Sequence, residues 1–414
     1  MKVQIFEPYI GGHHTQYIAS LLPALLRLQE DGHVSEIVVT ISQNHYQSPS
    51  FAAQLAQYEP AVRFDAATEL APFKRSSAFH VSSMLYKAIT RIRPDYFIST
   101  SANYGAFPVA IMNVLGAWSG KRNLISIGIV HHRNPASRPT LSQQLQDTMH
   151  RFSRNFSPWT ELHVVNPLLY AALNGSGRNA EHRIKLLPDP VSRVMATPSN
   201  DARRFLHIPE DGWYIGHVGG IDARLALPEL LAAFRAANLP LNHRLLLAGS
   251  LLARYRELIS IDYGDLVRES RLVILDRFLP VDELHAAYSA IDVAAVPYYD
   301  NDYLSAKALN AMAAHRPLLG SNQGYTGMLI KRFHAGWSCD ILDTTQLANT
   351  MTIASKESSH YVLSTAGQRL LDFHTAENYS NAILARLHAR LKLPLPPLKT
   401  WDWVLRGSEK PASD

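Results

Sequence analysis

A chain of 414 residues is too long for one ordinary core and fits two domains of about 200 residues each. It is 47% hydrophobic and 18% charged, with glycine and proline spread along its length, which excludes fibrous and disordered classes. The formal charge of +5 is uneven: residues 1–200 hold 18 Lys and Arg against 12 Asp and Glu, and the remainder holds 22 against 23.

The basic excess runs through Lys74, Arg75, Lys87, Arg91, Lys121, Arg122, Arg133 and Arg151 without one dense cluster. A solvated face accounts for such a pattern; peripheral contact with an anionic membrane surface, or binding of an acidic glycan, is the functional alternative. No helix-turn-helix, zinc or RNP-type signature is present, so nucleic acid is not expected as a partner. Cys339 is the sole cysteine, which rules out an intrachain disulfide and fits a reducing compartment. Met1–Phe6 lacks the apolar stretch of a signal peptide, and Leu124–Val130 and Ile291–Val296 fall far short of the ~20 residues that span a bilayer. A cytoplasmic protein is expected, at most peripheral at the inner face of the membrane.

In chain order, Val3–Glu7 predicts a first strand, followed by a glycine turn and a helix from Thr15 to Leu28. Ser35–Ile41, Tyr96–Ser99, Leu124–Val130 and Leu162–Val165 predict further strands, with helices over Ser77–Ile92 and Phe107–Leu115. Short β-rich apolar runs alternating with longer helical ones indicate parallel βαβ units. Leu186-Leu187-Pro188-Asp189-Pro190 breaks the pattern and, with the polar stretch Thr197–Asp201, predicts a linker.

A second series then begins: strands Tyr214–Val218, Arg244–Ala248, Leu272–Leu275 and Val293–Pro297, alternating with helices Leu227–Ala237, Leu251–Ile259, Val281–Ala290 and Leu304–Ala314. A buried strand through Leu318-Leu319, a turn at Gly320–Gly324, and helices over Asp343–Ile353, Ser358–Phe373 and Ala376–Leu391 complete it. The expected domains are 1–190 and 205–375, with 376–414 packing back on the first. Two doubly wound halves of this kind place ligands in a cleft at the carboxyl ends of their strands.

Four sites at strand ends carry residues suited to chemistry. Gly11 and Gly12, before His13 and His14, allow backbone N–H groups to approach an anion at a helix N-terminus, although no Gly-x-Gly-x-x-Gly fingerprint is present. His131-His132-Arg133 follows the strand Leu124–Val130, where an imidazole can meet substrate hydroxyls or phosphate. Gly219-Gly220-Ile221-Asp222-Ala223-Arg224 permits close backbone approach and supplies a guanidinium for a diphosphate, or for a surface ion pair. The fourth is the polar loop Tyr298–Tyr303 leading into a helix with small residues at its start, where unpaired N–H groups and Lys307 offer positive charge.

The last two sites, together with the segments between them, resemble the C-terminal half of glycosyltransferase family 4, whose members are retaining enzymes of the GT-B fold. The resemblance rests on Gly-Gly-Ile-Asp-Ala-Arg after the strand Tyr214–Val218, Leu245–Ser250, Asp276-Arg277-Phe278-Leu279-Pro280, and Ala290–Pro297. Most specific is Leu309-Asn310-Ala311-Met312-Ala313-Ala314-His315-Arg316-Pro317, similar to Leu-Glu-Ala-Met-Ala-x-Gly-x-Pro. Over residues 1–190 it is looser, resting on the order of the glycine turn, Pro94-Asp95, the strand into His131 and Leu-Pro-Asp-Pro-Val. The chain departs from the pattern at Asp302 and Asn310, where the family commonly has two Glu. Gly220 and Leu225 stand in place of a basic pair, and His315 in place of a glycine.

The resemblance implies an α/β GT-B fold of two Rossmann-like, doubly wound domains facing a central cleft. It also implies transfer from a UDP- or GDP-sugar to a glycan, lipid-linked or small-molecule acceptor, as in polysaccharide biosynthesis, with neither cofactor nor metal. Arg224, Lys307 and the backbone at Leu304, Ser305 and Ala306 would stabilise the departing diphosphate, helped by Gly220 and by the Gly11-Gly12 turn. Arg277 and Phe278 would hold the base and Asn310 the ribose. Asp302 would bind donor sugar hydroxyls and His131 the sugar or acceptor. A sugar-nucleotide epimerase of the same architecture, and a non-catalytic nucleotide- or glycan-binding homologue, are the alternatives.

Overall fold

The computed structural model describes residues 1–9, 14–67, 78–103, 105–118, 124–130, 141–174, 184–191, 197–299 and 306–401. Two compact units form, one from residues 1–190 with 376–414 and one from residues 191–375.

In the first unit seven strands lie in one parallel sheet: β1 Lys2–Glu7, β2 Glu36–Ser42, β3 Arg63–Ala67, β4 Tyr96–Ser99, β5 Ile125–Val130, β6 Glu161–Val164 and β7 Ile184–Leu186. Their order is β3-β2-β1-β4-β5-β6-β7. Val3, Ile5 and Phe6 on β1 and Phe97 on β4 are sealed because helices cover both faces of such a sheet. Phe97 stacks on Trp159 at 6.1 Å, beside Leu85 and Ile89 of the helix Ala78–Ile92. The C-terminal helix Ala376–Leu391 belongs to this unit. Its Tyr379 stacks on Tyr17 of the first helix at 5.2 Å, and Ile383 accepts a hydrogen bond from the Tyr96 hydroxyl at 2.6 Å. Trp401 is buried.

The second unit carries six parallel strands, β8 Tyr214–Val218, β9 Arg244–Ala248, β10 Leu272–Leu275, β11 Val293–Val296, β12 Leu318–Ser321 and β13 Gly336–Cys339. Their order is β10-β9-β8-β11-β12-β13. Every residue of β8, β9, β11 and β12 is buried. The strand order reverses between β1 and β4 in one sheet and between β8 and β11 in the other, the points where open α/β sheets take ligands.

Several expectations need correction. The span Ser358–Phe373 is not one helix but a 3-10 turn, Ser358–His360, and a separate helix, Thr365–Phe373. Ser364 takes an extended conformation and caps that helix by accepting from Gly367 N, which ends any continuous helix before it. The polar stretch Thr197–Asp201 is not all linker, since the helix Ser199–Phe205 begins inside it. Its Arg203 is buried, donating to Ala290 O at 2.8 Å and Asp292 Oδ2 at 3.0 Å. The helix expected at Leu251 begins at Ala253, because Leu251 pairs with Ile221 in a β-bridge. The turn placed at Gly320–Gly324 starts later, since Gly320 and Ser321 pair with Ser338 and Cys339 of β13.

Candidate functional site

The second unit presents its strand-end loops side by side because all six strands run parallel. The loop after β8 is stitched to both neighbours. Gly219 N donates to Ala248 O at 2.7 Å, Ile221 N to Ser250 O at 2.9 Å and Ala226 N to Pro297 O at 2.8 Å. Two glycines make this possible. Gly249 has φ +145, and a Cβ there would lie 2.2 Å from Gly219 O; Gly219 has φ +104, and a Cβ there would lie 2.8 Å from Lys307 Cε. No side chain fits the first position, and the second leaves a track for the lysine stem.

Lys307, on the helix Ala306–Ala313, crosses that track. Its ammonium donates to Gly220 O at 2.5 Å, meets His217 Nε2 at 3.1 Å and sits 5.6 Å from the centre of the Tyr298 ring. Asn310, three residues further on, shares the helix face. Its Oδ1 is buried and finds no partner among the described residues, an unmet acceptor of the kind a ligand hydroxyl would satisfy.

Arg224 occupies the same loop, but its guanidinium folds back on Asp222, with Nη2 at 2.6 Å from Oδ2 and Nε at 3.1 Å from Oδ1. Burial raises the Asp222 carboxyl, yet its hydrogen bonds with Arg224 and the nearby charges of Arg224 and Lys307 leave it below the usual carboxylate range. Much of the Arg224 charge is therefore met internally, while the Lys307 ammonium, whose short-range partners among the described residues are neutral, feels the Asp222 carboxylate only at longer range. Ala306 stands at the first turn of the lysine's helix.

Beyond β10, Asp276 ties its loop to the one after β9 by accepting from Leu251 N at 2.8 Å and pairing with Arg256. Arg277 pairs with Glu283, and Phe278 is 47% exposed at the same sheet edge. Two strand spacings separate β10 from β8, about 10 Å.

At the reversal point of the first sheet lies a different cluster. Glu7, the last residue of β1, is fully buried. Its Oε2 accepts from His14 Nδ1 at 2.9 Å and from the Thr100 and Ser101 hydroxyls at 2.7 Å each, and its Oε1 from Tyr9 N at 2.9 Å. Burial disfavours charge on both partners. The opposed charges and these hydrogen bonds override it, holding Glu7 below the ordinary carboxylate value and His14 above the ordinary imidazole value.

Of the expected site residues, Gly220, Arg224, Ala306, Lys307 and Asn310 gather around the loop after β8 and the lysine's helix, and Arg277 and Phe278 lie on the loop after β10. Gly11, Gly12, His131, Asp302, Leu304 and Ser305 lie outside the described residues. Sequence reasoning missed Glu7, Thr100 and Ser101, together with His217, and gave Tyr298 no role of its own within the loop it named. The available signal was a polar residue inside an otherwise apolar strand at His217, and a carboxylate closing the first strand at Glu7.

Among solved structures the chain is similar to Anabaena HepE in complex with UDP and glucose, at 14% identity over 94% of this chain and 100% of that one, with a TM-score of 0.67. It is also similar to sucrose-phosphate synthase from Thermosynechococcus elongatus, at 17% identity over 95% and 99%, with a TM-score of 0.69. WaaG, a glycosyltransferase involved in lipopolysaccharide biosynthesis, aligns at 12% identity over 94% and 99%, with a TM-score of 0.59. No match to a curated protein is found. These likenesses define the class of fold: two Rossmann-like α/β units with parallel sheets, as in GT-B glycosyltransferase structures. Within it, residues 213–355, which contain all six strands of the second unit's sheet, match the family model described as glycosyl transferases group 1.

Proposed function

We propose that this chain is a glycosyltransferase that moves a hexose from a nucleoside diphosphate sugar to a glycan, lipid-linked or small-molecule acceptor. The observation that carries the reading is the Lys307 ammonium, held over Gly219 and Gly220 where the second sheet reverses its strand order. A preorganised cation at this position stabilises charge that develops on a departing diphosphate. Phe278 stacks on the base and Arg277 borders it. Asn310 Oδ1 accepts from a ribose hydroxyl. Asp302 contacts the donor sugar, His131 the sugar or acceptor, and residues 1–190 bind the acceptor. In this reading transfer is retaining, by same-face attack without an enzyme nucleophile, and needs neither metal nor cofactor.

The HepE structures hold UDP, glucose and UDP-glucose, which makes a uridine nucleotide the first donor to test. Release of nucleoside diphosphate from a panel of UDP- and GDP-sugars, with and without acceptors, tests the proposal on the full chain. Turnover with at least one donor is expected. Tight nucleotide binding with no turnover of any donor would instead make the chain a binding homologue.

No helix of the described residues is long and apolar enough to cross a membrane. Contact with a membrane surface is a further part of the proposal. It rests on the helix Leu141–Phe156, which exposes Leu141, Leu145 and Phe156 together with Arg151. Co-sedimentation with anionic but not neutral vesicles is the expected outcome, and failure to sediment with either removes it.

A further inference from the structure

His217 stands inside β8, a strand whose every residue is buried, and is itself 1% exposed. A polar ring there costs free energy unless both nitrogens are used. Both are. Nδ1 lies 2.9 Å from Ala295 O on the adjacent β11, and a carbonyl oxygen can only accept, so Nδ1 carries the proton. Nε2 then presents its lone pair, and the group it meets, at 3.1 Å, is the Lys307 ammonium. The Tyr298 ring packs against the imidazole in a T-shaped pair, with ring centres 5.8 Å apart.

Burial, and then the neighbouring ammonium, push the His217 imidazole down to about 3. Asp222 opposes this shift, as do the Ala295 and Gly220 backbone groups, without reversing it. The ring is therefore neutral near pH 7 and remains an acceptor.

We propose that His217 is the positioning residue for Lys307: its Nε2 and the Gly220 carbonyl together fix the ammonium over Gly219, so that the lysine's remaining N–H is aimed at a bound diphosphate. This rests on the reading of Lys307 as a phosphate contact. A long, flexible lysine otherwise samples many rotamers, and fixing one in advance lowers the cost of binding. The donor cannot be supplied in its place by the ring, whose one proton is committed to Ala295. His217 therefore acts only through Lys307 and touches no substrate.

The test is calorimetric binding of UDP, GDP and their nucleosides to full-length wild type, His217→Leu, His217→Gln, Lys307→Ala and the His217→Leu/Lys307→Ala double variant. H217L should weaken diphosphate binding roughly tenfold and leave nucleoside binding unchanged. H217Q, whose amide oxygen can accept from the ammonium, should recover most of that loss. The double variant should bind diphosphate no more weakly than K307A, because the two residues act as one unit.

Wild-type diphosphate affinity in H217L, or losses that multiply in the double variant, would overturn the inference. If K307A itself retains wild-type affinity, it is the phosphate-site reading that fails. Should H217L not fold, nitrogen-15 NMR of labelled histidine decides. K307A should shift the His217 Nε2 resonance and leave Nδ1 in place, and an unmoved Nε2 contradicts the proposal.

Discussion

At the reversal point of the first sheet a carboxylate is sealed beneath His14, whereas at that of the second an ammonium lies against His217. The topologies match, yet the two imidazoles are driven in opposite directions: His14 above its ordinary value by Glu7, His217 down to about 3 by burial and Lys307. The protonation of each histidine is thus set by burial and by the charged residue brought to it, not by the fold. In the first cluster the carboxylate favours a proton on its imidazole, whereas among the described residues of the second Lys307 and Arg224 outnumber Asp222.

Removing the carboxylate breaks the comparison most severely. Glu7→Gln removes the charged acceptor shared by His14, Thr100 and Ser101 and places an amide NH2 among their donors, and should destabilise the first unit by about 2–4 kcal/mol. Denaturant melts of the full chain check this, and an unchanged first-unit transition would show that the network adds no stability.

Gly219→Ala should cost less, about 1–3 kcal/mol, from its φ of +104 and the 2.8 Å approach of Lys307 Cε. It should also weaken diphosphate binding by displacing the lysine stem. Retained affinity would mean that the stem takes another path.

The smallest effect is on pH dependence, and its sign differs between the units. The raised His14 contributes stability below its ordinary value of 6.5, and this is lost as pH climbs through the folded value. The lowered Glu7 contributes above its ordinary 4.5, and this is lost as pH falls through the folded value. His217, at about 3 against 6.5 when unfolded, contributes fully above 6.5 and loses that contribution as pH drops toward 3. Above pH 6.5 the first unit should therefore weaken through His14 while His217 adds no slope. E7Q should flatten the alkaline slope, and an unaltered slope would place its origin elsewhere.

The central strands were legible because burial on both faces demands continuous apolar runs, as in Tyr214–Val218 and Arg244–Ala248. Three strands at the sheet edges were not. Arg63–Ala67 mixes charge with apolar residues, Ile184–Leu186 is only three residues long, and Gly336–Cys339 is mostly half-buried. An edge strand packs on fewer neighbours, so its sequence carries a weaker pattern. The helix Gly324–Phe333 was hidden by the glycine-rich turn that opens it.

At the candidate site, the role expected of Asn310 came from the family resemblance, while the placement of Lys307 and Asn310 on one helix was legible from the loop-to-helix pattern. Their partners were not, because His217, Gly249 and Tyr298 reach the lysine's surroundings only through pairing of β8 with β9 and β11. Asp222, two residues before Arg224, shows the reverse case: a local partner that takes up much of the guanidinium's charge.

The most direct measurement is the affinity of UDP and GDP, relative to uridine and guanosine, in wild type, Lys307→Ala and Arg224→Ala. The account predicts a preference for at least one diphosphate over its nucleoside that falls about 10–100-fold in K307A, and no more than about threefold in R224A. Equal affinity for nucleoside and diphosphate in wild type, or an undiminished preference in K307A, would contradict a diphosphate site at the end of β8.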